Sequence, residues 1–172
     1  MKYVLTLALA GLLLSAPALL AEDQPVTKAD LPSAIIKAFE TANPGAVVTE
    51  YGKETVDGKV RFEIEIKITG GEKDFVYLAD GTLLQTEEDM PIKDLPKSVS
   101  DALKKAYPKG EIDEADKIIR GATIEYQVGL EVGDTEYELV VTSDGTIISR
   151  KTVADHDNEA EDNDSGDEED ND

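Results

Sequence analysis

The stretch Val60-Arg61-Phe62-Glu63-Ile64-Glu65-Ile66-Lys67-Ile68 alternates apolar and polar side chains without a break. Successive side chains of a strand point to opposite faces, so period two over nine residues is the pattern of a strand with one buried face. The stretch returns as Ile124-Glu125-Tyr126-Gln127-Val128-Gly129-Leu130-Glu131-Val132, displaced by 64 residues. The same offset aligns residues 30–89 with 94–153 without a gap. Asp30-Leu31-Pro32 meets Asp94-Leu95-Pro96, Pro44 meets Pro108, and Asp80-Gly81-Thr82 meets Asp144-Gly145-Thr146. In all, 13 of the 60 aligned positions are identical. Self-similarity at a fixed period points to a duplicated structural unit.

Upstream of each long strand lies a helical stripe. Leu31, Ala34, Ile35, Ala38, Phe39 and Ala42 recur at three- and four-residue spacing, and Leu95, Val99, Ala102, Leu103 and Ala106 do the same. Asp30 and Asp94 are the expected N-caps. Asn43-Pro44-Gly45 and Tyr107-Pro108 are the expected stops, since proline cannot continue a helix. A shorter strand is expected over 47–54 and 112–119, a third over 74–79 and 138–143, and a fourth over 82–86 and 146–151. Asp57-Gly58, Gly70-Gly71, Asp80-Gly81, Gly133-Asp134 and Asp144-Gly145 supply the turns. The reading is an α+β fold of two tandem repeats, each one helix followed by about four antiparallel strands. Repeat one spans 26–91 and repeat two 92–154. About 60 residues are marginal alone, so the two are expected to share a sheet or a core.

The ends read differently. Met1-Lys2 begins a short positive region, residues 3–14 are almost wholly apolar, and small residues follow at Ser15-Ala16-Pro17-Ala18 and Ala21. This is the pattern of a secretory signal peptide over 1–21, with cleavage after Ala18 or Ala21. A spanning helix needs roughly 20 apolar residues, and this run is shorter. The expected location is therefore periplasmic or secreted, with no membrane span after cleavage. Residues 155–172 hold 11 acids and no Lys or Arg, so a disordered acidic tail is expected.

The formal net charge is −21. Such a chain repels phosphate backbones and anionic membranes, which argues against nucleic acid as a partner. Cationic proteins, peptides or divalent metals suit it better. There is no cysteine, hence no disulfide, no thiol nucleophile and no thiolate metal site. The one histidine, His156, sits in the tail, and no serine lies in a nucleophile-elbow pattern. No glycine-rich run resembles a phosphate cradle. The expectation is a protein that is not an enzyme, with no cofactor and no built metal site. Asp162-Asn163-Asp164-Ser165-Gly166 has a glycine one place early for a calcium loop and no closing Glu, which leaves weak, multivalent divalent-cation binding by the tail.

The candidate partner-binding residues are the polar members of the two long strands: Arg61, Glu63, Glu65 and Lys67, with Glu125, Gln127 and Glu131. They should line the sheet face opposite the helices. Val76, Leu78 and Val140 are candidates for the same face, the parity of their strand being open. Glu63 and Glu65 interleave with Arg61 and Lys67, the composition of a self-neutralising face rather than of an acid–base pair.

Residues 31–48, 60–68 and 72–86, with their copies at 95–112, 124–132 and 136–150, resemble the PepSY-like family of exported bacterial proteins described as β-lactamase-inhibitor-like. The resemblance implies a helix-plus-sheet architecture whose face opposite the helices can clasp a protein. It also implies kinship with PepSY modules that restrain peptidases. The function expected is an exported binding module for a protein or peptide, inhibitor-like in kind. The competing reading is a cation-handling or surface-associated protein that acts through its tail. Deleting 155–172 separates the two, because binding through the sheet survives the deletion and binding through the tail does not.

Overall fold

A computed structural model of the chain describes residues 24–56 and 58–153. The expected signal peptide, the acidic tail and Asp57 of the Asp57-Gly58 turn lie outside the described residues. The elements in chain order are β1 (Gln24–Pro25), α1 (Ser33–Ala42), β2 (Val48–Val56), β3 (Lys59–Ile68), β4 (Gly71–Leu78), β5 (Leu83–Asp89), α2 (Lys97–Ala106), β6 (Glu111–Arg120), β7 (Thr123–Val132), β8 (Thr135–Thr142) and β9 (Ile147–Val153).

These strands form one antiparallel sheet in the order of the chain, β1 to β9. That corrects the expectation of an α+β fold built as two tandem helix-plus-strand repeats. The molecule is mostly β, with two ten-residue helices set against a single continuous sheet. The physical reason lies at the middle. A last strand β5 left at an edge would expose a row of unpaired backbone groups. Instead β5 pairs with β6, from Thr86 against Ile119 to Asp89 against Asp116, and the Met90 amide donates to the Ala115 carbonyl at 2.9 Å. The pairing joins what the sequence pattern separates.

Register fixes which side chains share a face, because paired residues point the same way. Ile64 pairs with Phe75, Phe75 with Thr86, Thr86 with Ile119, and Ile119 with Ile124. One face therefore runs from Ile64 across the sheet to Ile124. Both helices pack on it. Leu31, Ile35 and Phe39 close over Phe62, Ile64, Ile66, Phe75 and Tyr77. Leu95, Val99 and Leu103 close over Tyr126, Val128, Leu130, Leu139 and Val141. Phe39 meets Phe75 edge-on, with ring centroids 5.4 Å apart. The sheet is continuous, but its apolar core is in two patches under two helices.

The buried helical stripe is narrower than the sequence suggests: Ala34 and Ala42 are exposed. The caps also differ. Asp30 and Asp94 end short 3-10 turns, and the helices begin after Pro32 and Pro96. A residue before proline is pushed to extended backbone, so Leu31 and Leu95 cannot be helical. Asp30 instead accepts from the Thr27 amide at 2.9 Å and from its hydroxyl at 2.6 Å.

The recurring Asp-Gly-Thr has a packing cause. In the β8–β9 turn Asp144 accepts from the Thr146 amide at 3.1 Å, and Gly145 has φ of +91°. A Cβ there would stand 2.6 Å from the Ser98 carbonyl oxygen of α2. Gly81 is placed alike, with φ of +87° and the Ala34 carbonyl 2.8 Å away. The glycine lets each hairpin lie against its helix.

Two outcomes check this packing. Phe62→Ala should destabilise by roughly 3–5 kcal/mol, the cost of truncating a buried aromatic, and Lys67→Ala by less than about 0.5 kcal/mol. Gly145→Ala should cost about 1–3 kcal/mol from backbone strain alone, and more from the carbonyl contact. Urea midpoints that fail to separate Phe62→Ala from Lys67→Ala would contradict the assignment of faces.

Candidate functional site

The face opposite the helices carries polar members of β2 to β9, while Lys53, Lys73, Glu88 and Lys117 fall on the helix side. The candidates named from the sequence all lie on it. Arg61 pairs in register with Leu78, Glu63 with Val76, Glu65 with Asp74, and Lys67 with Glu72. On the other half, Glu125 pairs with Thr142, Gln127 with Val140, and Glu131 with Glu136. Val76, Leu78 and Val140 therefore do belong to this face. The two sets of candidates are separated by β4, β5 and β6, so the structure does not bring them into one constellation.

Several of them are tied down. Arg61 stands 3.8 Å from Glu54, Thr49 donates its hydroxyl to Glu65, and Arg120 forms an ion pair with Glu125. Lys67 and Glu131 are exposed. Gln127 is 2% exposed, and its Oε1 has no hydrogen-bond partner among the described residues.

The strands between the two sets carry what the sequence reading missed. One register row runs Glu65, Asp74, Glu87, Ile118, Glu125. The next runs Asp89, Asp116, Gln127, Val140. The centre of this face is thus rich in carboxylates, with Arg120 as a cation among them. Arg120 donates its Nε to Gln85 at 2.9 Å besides its pair with Glu125. Asp89 accepts from the Glu72 amide at 3.1 Å and lies flat over Gly71, where any Cβ would collide with it.

Burial among like charges disfavours the ionised form. Burial, then Asp116, Asp74 and Glu63, push Glu87 up to about 8, against the opposing pull of Arg120. Burial, then Glu65 and Asp89, push Asp74 up to about 7. Burial, then Glu114 and Asp89, push Asp116 up to about 7, and a hydrogen bond with Asp89 adds to this. Glu138 is raised by burial, with Lys151 opposing. Near neutral pH the middle of the face thus holds carboxyl groups whose ionisation is opposed by burial first and by neighbouring carboxylates second. Among the described residues no group of three or more His, Cys, Asp or Glu side chains could hold a metal ion.

Sequence reasoning reached the outer columns because alternation in β3 and β7 is unambiguous. It missed Asp74, Glu87, Asp89 and Asp116 because β4 is apolar on both faces and the β5–β6 pairing has no local signature. The acids along β5 and the first half of β6 are the available signal, and they become one only once the register is known.

The family described as "Putative beta-lactamase-inhibitor-like, PepSY-like" matches residues 63–149, half of the chain. The chain belongs to this family. Solved structures share the fold. A BLIP-like protein from Bacteroides fragilis NCTC 9343 superposes with a TM-score of 0.59 at 22% identity, over 74% of this chain and 90% of that one. A DUF2874 family protein from Bacteroides ovatus ATCC 8483 gives 0.62 at 18%, over 73% and 89%. A protein from Bacteroides eggerthii DSM 20697 described as "putative periplasmic" gives 0.62 at 12%, over 71% and 88%. No curated protein matches in sequence. At these identities the PepSY-like likeness to solved structures is one of fold.

The carboxyl groups give the PepSY-like sheet a signed pH dependence. Their folded values lie above the unfolded ones, so the folded state binds more protons between about pH 4 and 8. The stability they contribute is full below the unfolded values and is lost as pH rises through 7 to 8. The melting temperature should therefore be higher at pH 5 than at pH 8. Glu87→Gln should flatten the slope, which separates this effect from general self-repulsion of an acidic chain. A wild-type melting temperature that is flat or rises toward pH 8 would contradict the buried-carboxyl account.

Proposed function

We propose that this chain is an exported, non-enzymatic binding module that holds a protein or peptide against the face of its sheet opposite the helices. The observation that carries the reading is the state of that face. It is uncovered among the described residues, yet it buries carboxyl groups and an amide oxygen that its own side chains leave uncompensated. Leaving buried polar groups unsatisfied is costly, and a partner that supplies donors or positive charge recovers the cost on binding. Half-buried Leu78 and Val140 add apolar area between charged columns, the mixture found in protein interfaces.

Membership of a β-lactamase-inhibitor-like family supports recognition of a protein rather than turnover of a small molecule. The two recesses beside α1, lined by residues such as Ile36, Glu40 and Tyr51, lie on the helix side and not over the carboxyl cluster. Export fits the signal-like start of the sequence and the "putative periplasmic" description of the Bacteroides eggerthii protein of the same fold. No described helix is long and apolar enough to cross a membrane.

The test uses the two exposed members of the outer columns, since Arg61 and Glu125 are engaged in ion pairs. Crosslinking of the full chain in its native exported fraction, read by mass spectrometry, identifies a captured protein. The double variant Lys67→Glu with Glu131→Lys should lower its capture several-fold while the melting temperature stays within a few degrees. Unchanged capture by that variant, with equal capture by a further variant carrying Glu65→Lys, removes the open face from the function.

A further inference from the structure

Gln127 sits in the middle of β7 on the open face, between Asp116 on β6 and Val140 on β8. A glutamine this deeply buried normally has both amide ends bonded. Its Oε1 has no partner among the described residues. Two residues along the strand, Gly129 pairs with Glu114 on one side and Glu138 on the other. Glu138 Oε2 is likewise buried without a hydrogen-bond partner, diagonal to Gln127. Gly129 has no side chain, and Asp113 uses the room: its Oδ1 lies 2.5 Å from where a Cβ would stand. A bulge between Ile112 and Glu114 turns Asp113 to this place. Two unmet acceptors thus lie beside the carboxylates of Asp113, Glu114 and Asp116. The cation in register with the group is Lys151, opposite Glu138 on the edge strand β9.

We infer that this cluster over Gly129 receives a lysine side chain from the bound partner, its ammonium donating to Gln127 Oε1 and Glu138 Oε2 among the surrounding carboxylates. The inference rests on the reading of the open face as a binding surface and names the chemistry recognised there. With the carboxyl groups ionised every side-chain oxygen involved is an acceptor, so the missing group is a donor. The acceptors come from three strands, which suits a compact ammonium with three rotatable donors better than a planar guanidinium that bonds one carboxylate edge. Asp113 and Glu114 at the rim of the cluster are exposed, and the net charge of −21 draws a basic segment toward it. A divalent ion is disfavoured because these carboxylates do not form a group able to hold a metal.

The experiment is a titration of the full chain, labelled with nitrogen-15, with the peptide acetyl-Gly-Gly-Lys-Gly-Gly-amide and its glutamine counterpart. The lysine peptide should shift the Gln127 side-chain amide and the Gly129 backbone amide, and the glutamine peptide should leave them unmoved. Gln127→Leu and, separately, the near-isosteric Glu138→Gln should each weaken the peptide by about tenfold or more, the change that losing one hydrogen bond to a charged group corresponds to. Should Gln127→Leu fail to fold, the wild-type shifts and Glu138→Gln decide the matter. Lys151→Ala should leave binding equal or tighter. Shifts confined to residues 155–172 would overturn the inference, as would wild-type affinity in Glu138→Gln. Shifts of Gln127 by calcium chloride but not by the peptide would make the cluster a cation site and also overturn it. Loss of partner capture in the Lys67 and Glu131 double variant, without any response to the lysine peptide, sinks the lysine inference and leaves the binding reading standing. A response to the lysine peptide, with unchanged capture by that variant and by the one carrying Glu65→Lys, keeps the lysine site and removes the outer columns from the binding surface.

Discussion

The hydrogen-bonded seam between β5 and β6 is the constraint on which the rest of this molecule depends. Four register pairs, Thr86 with Ile119 through Asp89 with Asp116, close what would otherwise be two sheet edges. The seam puts both helices on one side, because it transmits the parity of Ile64 and Phe75 to Ile119 and Ile124. It also leaves the opposite side without a layer. An antiparallel sheet tolerates one uncovered face when that face is polar, which is why the acids of β3 to β8 gather there.

The same seam creates the electrostatic problem of that face. Asp89 and Asp116 end up directly opposite each other, Asp74 and Glu87 lie in the neighbouring row, and Arg120 is the cation set among them. Like charges opposite each other on a sheet are destabilising. The chain tolerates them by burying them partly protonated, at a cost that hydrophobic packing under α1 and α2 offsets. Natural domains keep such unfavourable arrangements at functional sites, and a positively charged partner would turn the cost into affinity.

The strands and helices were legible because their patterns are local. Phe62, Ile64 and Ile66 alternate with charges, and Ile35 and Phe39 recur at helical spacing. The Asp-Gly-Thr turns were legible as turns, though not as contacts with Ala34 and Ser98, which require the helix to be in place. That the two units share a sheet or a core was expected from their size alone, but the seam that joins them was not legible. The internal similarity at offset 64 draws the eye to two units, and nothing near Thr86 or Ile119 announces that they pair. Of the site, the outer columns were readable from β3 and β7. The carboxyl centre was not, since Asp74 lies in a strand apolar on both faces and Asp116 in one whose register only the seam decides. Gln127 was named for its parity alone, and its unpartnered oxygen is a property of the packed sheet.

Asp116 reports on all of this at once, because its surroundings exist only if the seam forms and the face stays uncovered. The most direct test is a carbon-13 titration of its side-chain carboxyl by NMR in the full chain. With the seam formed and the face uncovered, the resonance titrates with a midpoint near 7, as does that of Asp74. A midpoint near the ordinary aspartate value of about 4 would contradict this and dissolve the buried carboxyl cluster on which the functional reading stands.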